Sequence, residues 1–295
     1  MQYRVTHCTT YEYSEAVSIC HNEARLSPRR TERQTPLSTS LDIEPAALVL
    51  TEDRDYFGNV VHFFTLEEAH VRLSVSASSE VDVTPYERPV LSLSPAWESV
   101  RDAVRSERSL EGLRALEYTL ESPHVRISEP MQKYAAASFT KRRPLLDAVL
   151  ELTTRIFSDF QYEPGATSLA TPLSHVLETR RGVCQDFAHL QIGMLRALGL
   201  PARYVSGYVH NAPPGDQPRL VGADASHAWL SVFCPGFGYV DFDPTNGSIP
   251  SEEHVTLAWG RDFSDTSPLR GVILGGGNHI VRVGVDVQRL QRGSA

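Results

Sequence analysis

Residues 227–243 constrain this chain more than any other segment. Residues 227–233 alternate like a half-buried strand, residues 237–243 do so again, and Cys234, Pro235 and Gly236 between them carry turn chemistry. Two such runs around a tight turn predict an antiparallel hairpin. A turn centred on Pro235, the midpoint of 227 and 243, sets His227 opposite Asp243. Directly opposed side chains have Cβ atoms about 4.5–5.5 Å apart, so the carboxylate can reach an imidazole nitrogen. Asp241 shares that face but would oppose Trp229, diagonal to His227, which makes Asp243 the expected partner.

Upstream, Cys184 opens an apolar run in which Phe187, Leu190, Met194 and Leu198 recur at helical spacing, with Gly199 and Pro201 as the stop. Gly182 is read as permitting a tight turn and close approach of a substrate backbone. Cys184 therefore falls in the first turn of a helix, where unpaired N–H groups can stabilise an anion. A free thiol has a pKa of about 8.5, and a helix start or a nearby imidazolium favours the nucleophilic thiolate. A carboxylate on that imidazole fixes its tautomer and orientation. Cys184, His227 and Asp243 are thus the candidate nucleophile, base and orienting acid. Most free cysteines are inert core residues, but the position of Cys184 and its partners reverse that reading. Arg181 and Asp186 flank the nucleophile as candidates for capping the helix, and Asp186 and Trp229 are candidate pocket residues.

Residues 181–188, 201–208, His227 to Trp229 and Asp243 to Gly247 resemble the bacterial transglutaminase-like family, within the papain-like superfamily of cysteine peptidases and acyltransferases. Residues 3–7 and 26–29 resemble the β-rich N-terminal domain that accompanies this core, and 260–272 fit its C-terminal portion. The resemblance is weakest over 85–130. It implies an α+β fold, with a papain-like transglutaminase core whose cysteine-bearing helix packs against an antiparallel sheet carrying the histidine and aspartate. An N-terminal β-sandwich accompanies that core. It also implies Cys184, His227 and Asp243 as the catalytic triad and, by analogy with an upstream aromatic of the family, Tyr162 as an oxyanion donor. A purely structural role for Tyr162 is the alternative.

The rest of the chain divides into four expected stretches. Residues 1–84 read as short strands of a sandwich, and 85–140, after Pro85, Pro89 and Pro95, as a helical connector. Residues 141–250 form the catalytic core, opening with Pro144 and the stripe Leu145, Val149, Leu152 and Ile156. Residues 251–295 form a C-terminal loop and strand completing the fold, with 279–287 pairing to either sheet. A turn near Ser14 would bring Cys8 close to Cys20, and His7, Cys8, Cys20 and His21 would then look like two ligand pairs on a hairpin. Adjacent strand residues point to opposite faces, so His7 and Cys8 do not share an ion easily. His227, His254 and Asp224 have no zinc spacing, no calcium-loop pattern appears, and Gly275 to Gly277 lack the lysine of a phosphate loop. No metal or cofactor is expected.

The formal net charge of −8 argues against a nucleic-acid partner. No apolar run suits a membrane span, the N-terminus lacks a signal-peptide plan, and the four irregularly spaced cysteines fit reduced thiols, so a cytoplasmic setting is expected. The expected substrate is a peptide or protein amide, attacked by Cys184 to give a thioester. Hydrolysis is favoured over glutamine-to-amine transfer, and a non-catalytic partner-binding scaffold is the alternative of another class. The proline- and glycine-rich loop 210–222 is the expected lip of the acyl site.

Overall fold

The computed structural model describes residues 1–85, 87–210 and 226–290. Five strands come first: β1 (Gln2–Ala24), β2 (Gln34–Glu44), β3 (Val49–Arg54), β4 (Val60–Leu66) and β5 (His70–Val83). The long β1 serves two sets of partners. Its first half pairs with β5, which pairs in turn with β2, while its second half pairs with β4, and β4 with β3. The two sets close on a shared core of Val17, Cys20, Leu26, Phe64, Leu66, Leu73 and Val75, which makes this part a sandwich.

Helices α1 (Trp97–Ser106), α2 (Leu110–Glu117) and α3 (Glu129–Ala136) follow. They are not a free-standing connector. Val100, Val104, Ala115, Met131 and Ala135 are buried in the same cluster as the helices and sheet that follow. Next come α4 (Leu145–Asp159), β6 (Gln161–Tyr162), α5 (Leu173–Thr179), β7 (Arg181–Gly182) and α6 (Cys184–Ala197). Pro144 stands at the N-cap of α4 and presents the anticipated apolar stripe to the core. In α6 every residue from Asp186 to Arg196 is buried, because helices pack on one side and a sheet on the other. Two of its polar residues find partners inside. Arg196 donates to the carbonyls of Tyr118, Leu120, Ala202 and Arg261, and Gln191 Nε2 donates to Thr153 Oγ1 at 2.7 Å.

The sheet under α6 runs β10-β9-β8-β11, built from β8 (Ala202–Val209), β9 (Ser226–Cys234), β10 (Gly238–Phe242) and β11 (His254–Gly260), all antiparallel. Its edge strand β11 meets the sandwich. The Gln34 amide exchanges hydrogen bonds with the backbone of Thr256, and the Asn59 amide does the same with Trp259, at 2.7–2.9 Å. Two side-chain amides thus satisfy backbone groups that an open edge would expose.

After α7 (Phe263–Thr266), β12 (Leu269–Gly275) and β13 (His279–Leu290) return to the sandwich and both pair with β1. Their return explains why no turn forms at Ser14. The Ser14 N–H donates to the Asn278 carbonyl at 2.8 Å and the Glu15 N–H to the Gly276 carbonyl at 3.3 Å. Backbone groups at the kink are satisfied by the Gly275–Gly277 turn, so β1 continues through it. All three glycines have positive φ, and a Cβ on Gly275 would stand 2.5 Å from the Ala16 carbonyl. Cys8 and Cys20 therefore lie far apart along one strand as free thiols, and the expected hairpin of ligand pairs does not exist. Among the described residues no helix is long and apolar enough to cross a membrane.

Candidate active site

Cys184 is the first residue of α6 and is half-buried. The helix start is shaped by Asp186, whose Oδ2 accepts the Val183 N–H at 2.9 Å and the Thr167 hydroxyl at 2.5 Å. This explains Gly182 differently from the sequence reading. A Cβ there would stand 2.8 Å from Asp186 Oδ2, so the close approach is by the cap and not by a substrate. Asp186, expected beside the pocket, is buried and committed to that cap. Arg181 is exposed and 3.5 Å from Glu163.

The parallel pair of β6 and β7 sets Tyr162 beside Gly182, two residues before the cysteine. The Tyr162 side chain is about half exposed, with its ring 6.5 Å from that of Phe187. Burial and the neighbouring Cys184 charge both raise its pKa, which places the phenol within the electrostatic reach of the sulfur.

On the sheet side His227 is the second residue of β9, with Nε2 2.7 Å from Asp243 Oδ2. Cys184 is a second neighbour that acts on the ring, so the imidazole lies between thiol and carboxylate. Burial alone would lower the His227 pKa, but its bonds to Asp243 and Cys184 and their negative charge push it up to about 10. Asp243 is fully buried and accepts five donors. Oδ1 takes the N–H groups of Thr245 and Asn246, and Oδ2 takes His227, Asn246 Nδ2 at 2.6 Å and His254 Nε2 at 3.2 Å. Burial works to raise its pKa, yet the two histidines hold the carboxyl well below the usual range.

The hairpin brings the expected pair together in a register other than the expected one. Gly238 opposes Cys234 and Asp241 opposes Ser231, so the turn centres on Gly236, which has positive φ, and not on Pro235. Carried on, that register leaves Asp243 opposite Trp229 and diagonal to His227. Asp243 still reaches the ring because it lies just past β10, in a turn closed by paired hydrogen bonds with Ser248. Asp241 instead accepts the Ser231 hydroxyl and, at 3.3 Å, Trp229 Nε1. Trp229 is not a pocket wall. It is fully buried, stacked at 6.0 Å on the His227 ring as a support.

Sequence reasoning missed His254 as a partner of Asp243. It weighed this residue only for zinc spacing. His254 opens β11, two strands away from β9, and no local pattern announces that these strands converge on one carboxylate. The Nε2 atoms of both histidines lie at hydrogen-bond distance from the same oxygen, although the three ligand atoms are within 4.8 Å of one another and so could hold an ion. Asp224 and residues 211–222 of the expected lip lie outside the described residues.

A half-buried cysteine at a helix start, beside a histidine that meets a buried aspartate on an antiparallel sheet, is the arrangement of the papain-like class. Within that class, residues 132–244 match the transglutaminase-like superfamily and residues 3–82 the bacterial transglutaminase-like N-terminal region. The chain belongs to the bacterial transglutaminase-like family. It is 40% identical over 294 residues to an uncharacterized protein of Mycobacterium tuberculosis, covering 97% of this chain and 92% of that one. A Cytophaga hutchinsonii protein, whose solved structure is described as a "Putative Cysteine Protease", superposes with a TM-score of 0.77 at 25% identity, covering 100% of this chain and 92% of that one. A protein-glutamine gamma-glutamyltransferase of Pseudomonas aeruginosa is 32% identical over 107 residues, 34% of this chain and 16% of that enzyme.

Proposed function

We propose that this protein is a cysteine-nucleophile acyl-transfer enzyme acting on peptide or protein amides, with hydrolysis as its main outcome. The observation that carries this reading is the His227–Asp243 hydrogen bond at 2.7 Å, with Cys184 at the start of α6 acting on the same imidazole. His227 takes the thiol proton and Asp243 stabilises the resulting imidazolium. The thiolate attacks the amide carbon, and backbone N–H groups at the start of α6, with the Tyr162 hydroxyl, stabilise the oxyanion. His227 then protonates the departing amine, leaving a thioester on Cys184. Water, deprotonated by His227, attacks that thioester and releases the acid.

Hydrolysis is favoured because the likeness to the protein described as a cysteine protease spans the whole chain. The likeness to the P. aeruginosa gamma-glutamyltransferase spans a third of it and supports the alternative, in which an amine resolves the thioester. Four free thiols among the described residues support a reducing, cytoplasmic setting. The deciding experiment gives the enzyme a glutamine-containing peptide and a labelled primary amine at millimolar concentration, and follows both products. Free acid in excess is the expected result. Amine incorporation exceeding acid would establish a transglutaminase in place of a hydrolase.

A further inference from the structure

Behind the catalytic sheet lies a second cavity of about 530 Å³, lined by neither Cys184 nor His227 nor Asp243. One wall is the loop of residues 31–34 of the sandwich, and the other is the outer face of β8, β10 and β11. Arg203 of β8 reaches it. Its guanidinium carbon is 3.8 Å from the ring centre of Tyr239 and 3.8 Å from that of Trp259. Arg29 lies over the Trp259 ring at 3.6 Å. Rings on both faces of a guanidinium leave only its in-plane edge for hydrogen bonding.

Neither arginine has a bound carboxylate. Arg29 donates to the Asn59 amide oxygen, and Arg203 makes no hydrogen bond or ion pair among the described residues, with its Nε buried and unpartnered. Burial and the charge of Arg203 together push the Arg29 pKa down to about 10, as two cations sharing one site would. Asp55 acts on Arg29 and Asp241 on Arg203 through space, without a hydrogen bond to either guanidinium. The two acids lining the same cavity are Glu32 and Asp241, and both Asp241 oxygens are engaged, by Ser231 and Trp229. Arg33 also lines the cavity, so with Arg29 behind Trp259 three cations face two acids, which disfavours a dianion and leaves room for a single negative charge.

His254 marks the cavity's other end. Its Nε2 faces Asp243, it is more than nine-tenths buried, and its Nδ1 has no partner. With the proton on Nε2, Nδ1 is an acceptor waiting for a donor. Five residue steps along β11 take His254 to Trp259, about 16 Å at roughly 3.3 Å per step. The requirement is an elongated molecule with a planar monoanion at one end and amide N–H groups along its length.

We propose that this cavity binds the carboxylate of an N-acyl amino acid or short acylated peptide, with the carboxylate bidentate on the Arg203 edge. Calorimetric titration and thermal melts of the full chain with N-acetylglycylglycine, at constant ionic strength, test it. Saturable binding is expected, weakened at least tenfold when the probe is methyl-esterified and at least tenfold in Arg203→Met. Inorganic phosphate is expected to bind at least tenfold more weakly than the peptide. An ester or phosphate that binds as well as the acid, or an Arg203→Met protein that binds like wild type, overturns the assignment. Should that variant fail to fold, wild-type crystals soaked with 4-bromohippurate decide. An anomalous bromine peak in the cavity with the carboxylate on Arg203 is expected, and a cavity without it refutes the proposal.

Discussion

Replacing Asp243 by asparagine should separate the chemistry of the site from its architecture. The substitution keeps one oxygen for the Thr245 and Asn246 N–H groups but turns an NH2 toward the imidazoles of His227 and His254. A donor facing Nε2 selects the tautomer with its proton on the nitrogen that serves Cys184, which blocks proton uptake from the thiol. The native preference for imidazolium is large. Moving His227 from 6.5 to about 10 corresponds to roughly 5 kcal/mol, at about 1.4 kcal/mol for each tenfold change in proton affinity. Cys184 contributes part of this, so the substitution removes only the share due to Asp243. Turnover should fall about 10³–10⁴-fold, as in other triads that lose this carboxylate.

Two measurements check this reasoning together. Imidazole NMR should show the His227 titration falling from about 10 toward or below its ordinary value, and single-turnover acylation should show the rate loss. The sign in stability follows. His227 binds its proton more tightly when folded, so its contribution is fully present below about pH 6.5 and is lost as pH rises through about 10. In Asp243→Asn that alkaline loss should shrink. A variant that keeps turnover within tenfold of wild type, with His227 still titrating near 10, would refute Asp243 as the partner.

Asp241→Asn, by contrast, should keep most of the turnover and lose about 1–2 kcal/mol of stability through its bonds to Ser231 and Trp229, read by urea unfolding. The opposite ranking of the two variants would show that the roles of these carboxylates are exchanged. Iodoacetamide near neutral pH should label Cys184 ahead of the other thiols, and His227→Ala should slow it, as followed by peptide mass spectrometry. Cys20 and Cys234 are buried, with burial pushing the Cys234 thiol up to about 11. Cys8 is the serious competitor, because hydrogen bonds from Ser76, Ser74 and Thr10 outweigh its burial and lower its pKa. Equal labelling of all four would remove the case for an activated Cys184.

The parts of the fold legible in the sequence are those whose signals are local. The helix start at Cys184, the two alternating runs of the hairpin and the Pro144 helix each declare themselves within about fifteen residues by period and punctuation. What stayed hidden depends on distant partners. The unbroken β1 cannot be read near Ser14, because the groups that satisfy its kink come from residues 276 and 278. The two-residue slip of the hairpin follows from a choice between Pro235 and Gly236 as turn centre, which Gly236's positive φ decides. Trp229, read as a pocket wall from its face alone, is buried because its ring crosses Gly207 of β8 and meets His254 of β11.

His254 reaches the site through a residue that has no side chain. On the middle strand β8, Gly207 is the partner of both His227 on β9 and Thr256 on β11. A Cβ there would stand 2.6 Å from Cη2 of Trp229 and collide with the Val255 carbonyl oxygen. The vacant position lets the Trp229 ring cross β8 and meet His254 edge-on at 5.2 Å, while its face stacks on His227. One tryptophan then fixes two imidazoles, and both donate to the same buried oxygen of Asp243. With Asn246 as a third donor, that oxygen has little freedom to turn away from His227. The orientation of the histidine thus rests on three strands and a turn, and the glycine that allows them to converge belongs to none of the motifs that announced the site.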